Sequence, residues 1–127
     1  SDALHDGSGA SNRMSLGQAA AGATPQTEIS AGTTLGTLSA PLRNVAMFAA
    51  LFNGASSRYG YNKNAPITGN AGTQAAHGIV MAARYDGAAN FGNVFVSEML
   101  VYDQAVQTAA QSDQIADYEG DKWGFLV

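Results

Sequence analysis

Cysteine is absent from this chain of 127 residues, so it can form neither a disulfide framework nor a thiolate metal site. Charged residues are also scarce, at 13% of the sequence. The six basic residues are scattered, and no cluster of them could neutralise a row of phosphates. We therefore expect no nucleic-acid partner. No stretch approaches the ~18 consecutive apolar residues of a membrane-spanning helix, so we expect no membrane insertion.

Small residues make up much of what is present. Apolar residues are 46% of the chain, but many are alanines, each of which buries little surface. The 15 glycines favour strands joined by many turns over a helical bundle. The larger apolar side chains cluster after Val45. The chain therefore divides into a turn-rich segment with weak strands over residues 1–42 and a part over 43–127 that carries the main strands and a helix.

Alternating apolar and polar residues predict the strands. The predicted strands span residues 12–16, 26–30, 43–52, 57–62, 78–85 and 93–102, and the first two have the weakest pattern. Residues 43–52 are apolar on both faces, which is typical of a strand that is buried on both sides. A buried helix is the alternative there, but the Asn53-Gly54 turn pair ends the run early. Residues 62–72 are rich in turn-forming residues and predict a long loop.

The period changes near the C-terminus, where a helix is predicted. Thr108 and Gln111 have the spacing of a capping box, in which each side chain bonds the backbone of the other residue. Ile115, Tyr118 and Lys122 recur at helical spacing and predict one face that packs on the strands. Gly124 would end the helix in a left-handed conformation.

Several segments resemble the C-terminal signature of bacterial and phage laminin G-like domains, which are concanavalin A-like jelly rolls. The segments are residues 92–106, which include Glu98, Tyr102 and Asp103, then Tyr118 and Lys122-Trp123-Gly124, with weaker matches at 53–57 and 83–87. The resemblance implies an all-β fold, an antiparallel jelly-roll sandwich with one C-terminal α-helix. The chain departs from the signature at Lys63, which interrupts a turn, and at Glu119, where the family has an apolar residue.

The resemblance covers residues 43–124 well and the first forty only loosely. It implies a sandwich that is N-terminally incomplete, in which residues 1–42 form part of the sandwich or an arm. The chain begins at Ser1 without methionine, and we expect a processed product or a piece of a longer protein. Other protein chains would then complete the sandwich or form an oligomer with it.

The resemblance also implies a class of function. We expect a non-catalytic carbohydrate- or cell-surface-binding module of a larger bacterial secreted or phage virion protein, with a role in adhesion outside the cell or on the virion surface. The alternative is a structural or decoration element of a phage particle that contacts other proteins. A polysaccharide-degrading enzyme is a more distant alternative.

Catalytic groups are not predicted. A polysaccharide-degrading enzyme needs two carboxylates that face each other across a groove. Glu98 and Asp103 are five residues apart and would face opposite sides of a regular strand. We expect Glu98 to pair with an arginine such as Arg84, and Asp103 to begin the turn into the helix. His5 and His77 have glycine-rich surroundings and are predicted to be surface turn residues. The sequence has no Gly-x-Ser-x-Gly motif, so no serine nucleophile is predicted for either histidine to activate.

Tyr59, Tyr61, Asn62 and Asn64 are the candidate ligand-binding residues. Flat aromatic rings and amides together suit a polyhydroxylated ligand such as a glycan, because apolar ring faces stack and hydroxyls pair. The alternative is that both tyrosines pack in the core, since the alternation places them on one face of a strand.

Calcium is the one cofactor that the sequence suggests. Asp86 and Asn90, with nearby carbonyls, would supply the hard oxygen ligands that calcium prefers. The alternative is that Asp86-Gly87 is simply a favoured turn pair. The acidic residues of the helix are predicted to be its solvated face rather than a metal cluster; they are Asp113, Asp117, Glu119 and Asp121.

Overall fold

The computed structural model describes residues 3–6, 14–20, 26–39, 45–75, 80–81, 95–102 and 108–125. The strands are β1 (Ala3–Asp6), β2 (Ser15–Ala20), β3 (Gln26–Ser30), β4 (Thr34–Ser39), β5 (Phe48–Leu51), β6 (Ser57–Tyr61), β7 (Ile67–Gly69) and β8 (Val80–Met81). One α-helix follows, α1 (Ala109–Trp123). This part of the chain is therefore mostly β with one C-terminal helix, which confirms the coarse prediction. None of its helices has the length and apolarity to cross a membrane.

The strands form two antiparallel sheets. The larger sheet has the order β4-β3-β2-β1-β8, and the smaller has the order β5-β6-β7. Four strands of the larger sheet lie within residues 3–39, where the sequence pattern was weakest. Strand β3 coincides with the strand that was predicted over 26–30, and β6 lies within the one predicted over 57–62.

Both sheets contribute to one apolar core. Its fully buried members are Ile29 of β3, Tyr59 of β6 and Ala71, which follows β7. The alternating burial along β3 places Thr27 and Ile29 on the inner face, because successive side chains of a strand point to opposite sides. Partly buried apolar residues pack around these three; they are Leu16, Leu35, Leu38, Phe48, Phe52 and Ile67.

A hydrogen bond joins the two sheets at the centre of this core. The hydroxyl of Tyr59 donates to Oγ1 of Thr27, and both residues are completely buried. The Thr27 hydroxyl in turn donates to the carbonyl oxygen of Leu38, at 3.3 Å. Burial raises the pKa of Tyr59, and the bond to Thr27 opposes that rise only in part, so the phenol stays protonated as a donor.

A second connection between the sheets depends on a glycine. The amides of Ala31 and Thr33 donate to the carbonyl oxygen of Ala71, at 2.6 and 3.1 Å. Gly72 has a φ of 94°, and a Cβ there would lie 2.0 Å from the carbonyl oxygen of Ala31. Only glycine fits at this position, because a side chain would push the turn after β3 away from the segment after β7.

Two predicted boundaries are corrected in the smaller sheet. Of the strand predicted over 43–52, the structure describes residues 45–52, and of these only Phe48–Leu51 form a strand. It lies at an edge of its sheet and is half-buried rather than buried on both sides. The loop predicted over 62–72 contains strand β7. Both errors have the same cause: β5 has four residues and β7 has three, and strands this short leave little periodicity to detect.

The clearest departure is at residues 93–102, which the alternation predicted as a strand. The structure describes residues 95–102, and they belong to neither sheet. The segment carries apolar residues on both alternating faces, which favours burial, but a strand also needs a neighbour to pair with its backbone. Of the strand predicted over 78–85, the structure describes Val80 and Met81, which form β8.

Helix α1 begins and ends as predicted. The Gln111 amide donates to Oγ1 of Thr108 at 3.2 Å, and the Thr108 amide donates to Oε1 of Gln111 at 2.8 Å. This reciprocal pair is the predicted capping box. Gly124 adopts the left-handed conformation with a φ of 69°, and its amide donates to the carbonyl oxygen of Gly120.

The buried face of α1 differs from the predicted one. Ala116, Glu119 and Gly120 are buried, whereas Tyr118 and Lys122 are exposed and Ile115 is half-buried. The predicted apolar stripe is therefore wrong. Two of the three buried residues, Ala116 and Gly120, are small, and small residues let a helix pack closely. Asp113, Asp117 and Asp121 are exposed as predicted, so Glu119 is the exception among the acidic residues.

Two polar contacts hold α1 to the smaller sheet. Nη2 of Arg58, on β6, donates to Oγ of Ser112 at 2.8 Å. Lys63, in the turn after β6, forms an ion pair with Asp117. Arg58 points to the opposite side of β6 from Tyr59, so the helix lies on the side of the sheet that faces away from the core.

The bond between the sheets gives a first prediction. Thr27→Val should lower the free energy of unfolding by about 1–3 kcal/mol, because the buried Tyr59 hydroxyl loses its acceptor. Tyr59→Phe should have a smaller effect, since Thr27 keeps its bond to Leu38. Denaturant unfolding of both single variants and the double variant measures this. The double variant should lose less than the sum of the two, and additive losses would contradict the bond.

Candidate functional site

The four predicted ligand-binding residues lie at and beyond the end of β6. Tyr59 has no exposed surface, and its ring stacks on Phe48 with 6.4 Å between centroids. It belongs to the core, so it offers no face to a ligand. Tyr61 is half-buried, and its ring lies 6.3 Å from that of Phe48 at an angle of 42°.

Asn62 and Asn64 build the turn that follows β6. Asn62 has a positive φ of 50°, its backbone amide donates to the carbonyl oxygen of Met47, and its Oδ1 accepts from the Met47 amide at 2.9 Å. Asparagine suits this position because it tolerates the left-handed conformation. The backbone amide and Nδ2 of Asn64 both donate to the carbonyl oxygen of Tyr61, at 3.1 and 3.2 Å.

The turn therefore presents only part of the predicted set to solvent. Asn64 is exposed and Tyr61 is partly so, while the Asn62 side chain is bound to Met47, the residue before β5. Lys63 is also exposed, and its ion pair with Asp117 fixes the turn against α1. The structure thus brings together one aromatic ring edge and one amide, a smaller candidate surface than the sequence suggested.

A second cluster lies at the C-terminal end of α1, and we call it the clasp. It consists of Glu98, Tyr118, Lys122 and Trp123. Oε2 of Glu98 accepts from Nζ of Lys122 at 2.7 Å and from Nε1 of Trp123 at 3.2 Å. Nζ of Lys122 also donates to the hydroxyl of Tyr118 at 2.9 Å. Among the described residues, Glu98 is therefore paired with Lys122, and Arg84, the arginine predicted as its partner, lies outside them.

The aromatic rings of the clasp also contact the lysine charge. Nζ of Lys122 lies 5.1 Å from the ring centroid of Tyr118 and 5.4 Å from that of Trp123. Both distances are within the range of cation–π attraction. Residues that are 24 and 25 positions apart in the sequence, Glu98 with Lys122 and with Trp123, are thereby held together. The clasp fastens residues 95–102 to the end of the helix.

The ionisation of the clasp matches this geometry. The Lys122 hydrogen bond, followed by that of Trp123, lowers the pKa of Glu98, and the Glu98 bond raises the pKa of Lys122. The contribution of Glu98 to stability is present above its unfolded pKa and is lost as the pH falls through its folded pKa. The contribution of Lys122 is present below its unfolded pKa and is lost as the pH rises through its folded one. The clasp is therefore complete at neutral pH.

Glu119 is an unexpected part of this region. The residue is only 7% exposed, and its Oε1 accepts no hydrogen bond from the residues that the structure describes. Burial, and then the neighbouring charge of Glu98, raises the pKa of Glu119. Sequence reasoning missed it because an acidic helix residue is usually solvated. Its neighbour Gly120, a small residue that permits a close approach, was the available signal.

The segment held by the clasp is an exposed apolar surface. Residues 95–102, which we call the apolar strip, include Phe95, Val101 and Tyr102, with exposed fractions of 92%, 66% and 63%. Val96, Met99 and Leu100 are also exposed. Contiguous apolar surface of this kind is typical of contact sites, whereas single exposed apolar residues need no explanation.

The calcium candidates, Asp86 and Asn90, lie outside the residues that the structure describes. Asp103, Arg84 and His77 lie outside them too. His5 is part of β1, so the prediction of a turn is wrong there. Within the described ranges, no group of three or more acidic or histidine residues is placed to hold a metal ion.

Comparisons with models of protein families, with curated protein sequences and with solved structures found no match to this chain. We therefore propose a function from the contacts and charges of the chain itself.

Glu119 gives a second prediction. Glu119→Gln should raise the free energy of unfolding at pH 7 by on the order of 1 kcal/mol, because the buried group no longer has to ionise beside Glu98. The gain should shrink as the pH falls, since wild-type Glu119 is then protonated. Thermal unfolding between pH 4 and 8 measures both effects. Asp121→Asn, on the exposed side of α1, is the control, and an equal gain in that variant would contradict the assignment.

Proposed function

We propose that this chain is a non-catalytic interaction module whose apolar strip is covered by another polypeptide. The observation that carries the proposal is the exposure of Phe95, Val101 and the other large side chains of the strip. Burying such side chains gains ~25 cal/mol per Å² of apolar surface. A partner that covers the strip would gain that free energy.

The clasp supports this role because it holds the strip in place. Glu98 lies within the strip and is fastened to α1 by Lys122 and Trp123. A contact surface that is ordered before binding loses less conformational entropy when its partner arrives. The strip is therefore better suited to recognition than an unrestrained apolar tail would be.

The proposed fold is a laminin G-like jelly-roll sandwich in which the strip is one strand. Two antiparallel sheets with a shared core, followed by a capped helix, support this arrangement. The clasp contains residues that resemble the family signature, namely Glu98, Tyr118 and Lys122-Trp123. Their hydrogen bonds hold residues 95–102 to the end of α1. The setting that the resemblance implies is a bacterial secreted protein or a phage particle.

A non-catalytic role is supported by the state of the two neighbouring carboxyl groups. Their pKa values are shifted in opposite directions, as in the acid and base pairs of some glycosidases. Glu98, however, is occupied by two donors, and Glu119 is buried. We infer that neither group serves catalysis, and we assign Glu98 alone to holding the strip.

The exposed strip gives a third prediction. At dilution, where the chain sediments as a single molecule, it should increase the fluorescence of an apolar dye. The variant Phe95→Lys/Val101→Lys should lower that increase several-fold with an unchanged circular dichroism spectrum. Val45→Lys is the matched control, because Val45 is an exposed apolar residue outside the strip. Equal dye binding by all three proteins would contradict the proposal.

Glycan binding at the β6–β7 turn is a second candidate function. The observation that favours it is that Tyr61, half-buried at the end of β6, and the exposed Asn64 belong to the same turn, where Nδ2 of Asn64 bonds the backbone carbonyl of Tyr61. The same protein samples can be applied to a glycan array. If this function holds, Tyr61→Ala and Asn64→Ala weaken binding, whereas the strip variant retains it. An array with no bound glycan would remove this candidate and leave the protein-contact proposal standing.

A further inference from the structure

We propose that Glu98 and Glu119 form a proton-controlled switch in the clasp, in which one proton, carried by Glu119, bonds to Glu98 and strengthens the attachment of the strip to α1. Glu119 acts through Glu98, the residue that holds the strip. This regulation rests on the proposed function, because the strip is the proposed contact surface. The proton site itself needs no partner and can be tested on the chain alone.

The helix brings Glu119 to the two residues that bind Glu98. Side chains three and four positions apart are neighbours on a helix surface, so Glu119 lies beside Lys122 and Trp123. Both of those residues donate to Oε2 of Glu98, at 2.7 and 3.2 Å. The carboxyl groups of Glu98 and Glu119 are also close enough to hydrogen-bond each other.

A hydrogen bond between two carboxyl groups needs one proton, because an ionised carboxylate can only accept. Glu98 is the poorer place for that proton, since two donors already bind its charged form. Glu119 is the better place, because it is buried and its Oε1 accepts no hydrogen bond from the described residues. A proton turns this buried group into a donor and removes a poorly solvated charge.

The charges around Glu119 leave this proton as the means of satisfying it. Among the described residues, Lys122 is the cation that faces Glu119, and its ammonium group bonds Glu98. The other titratable groups that contact α1 or lie on it beside the clasp have partners of their own, which are Arg58 with Ser112, Lys63 with Asp117 and Tyr118 with Lys122.

The pH then sets the strength of the clasp in two steps. As the pH falls, Glu119 takes up a proton first, because burial and then the charge of Glu98 raise its pKa, and the clasp gains a further bond. More acid protonates Glu98, whose pKa the Lys122 bond lowers, and the ion pair is lost. The strip is therefore attached most strongly between the two steps.

The chain has one tryptophan, which reports on this site directly. Nε1 of Trp123 donates to Glu98, so the NMR chemical shift of the indole N–H follows the ionisation of the pair. Between pH 3 and 8, the wild-type signal should shift in two steps, one above the usual glutamate pKa of ~4.3 and one below it. A single step at the usual value would overturn the switch.

Three variants assign the two steps. Glu119→Gln should remove the upper step, because glutamine offers a donor to Glu98 and does not titrate. Glu98→Gln should remove the lower step and move the upper one toward the usual value, since the neighbouring charge is gone. Asp121→Asn, which changes an exposed residue of α1, is the control and should keep both steps. An upper step that persists in Glu119→Gln, or that disappears in Asp121→Asn, would overturn the assignment of the proton.

Thermal unfolding of Glu98→Gln measures the effect of the proton on the clasp. The fall in melting temperature relative to wild type should be larger at pH 5, where Glu98 bonds a neutral Glu119, than at pH 8, where the two charges repel. When the same change is made in Glu119→Gln, the two falls should be equal. Equal falls with Glu119 in place would show that the proton does not act on the clasp, and would overturn the switch.

The outcomes separate the switch from the proposed function. A chain that lacks the upper step but binds the apolar dye through its strip would lose the switch and keep the contact surface. A chain that shows both steps but binds no dye would keep the proton site and lose the contact surface.

Discussion

The buried contact between Tyr59 and Thr27 is the point on which the two sheets depend. The chain has few large apolar side chains, and Tyr59 is the largest fully buried side chain among the described residues. Its hydroxyl is satisfied only because Thr27 occupies the facing position on β3. The larger sheet, built mostly from the first forty residues, is thereby joined to the smaller sheet that supports α1.

From this joint the structure extends outward in steps. Strand β6 carries Tyr59 on its inner side and Arg58 on its outer side, so the same strand faces the core and holds the helix. The far end of α1 carries Lys122 and Trp123, which hold Glu98 and with it the apolar strip. The exposed contact surface is thus connected to the core through one strand and one helix.

The features that could be predicted from the sequence are those set by neighbouring residues. The capping box of α1, the left-handed Gly124 and strand β3 depend on contacts within a few positions, and they were found where predicted. The Lys122 partner of Glu98 depends on a contact across the fold, and local pattern carries no record of it. The burial of Glu119 had only an indirect local signal, the neighbouring small residue Gly120. Of the predicted ligand-binding residues, Tyr59 shows the same limit, because strand alternation cannot tell an inner face from an outer one.

The strip shows a limit of a different kind. Its sequence pattern predicted a strand, but the described residues 95–102 pair with none of the described strands. The measurement that tests this account most directly is hydrogen exchange of backbone amides in the dilute chain. We predict strong protection in β3 and β6, and fast exchange of residues 95–102. Protection of the strip equal to that of β6 in the dilute monomer would contradict the account.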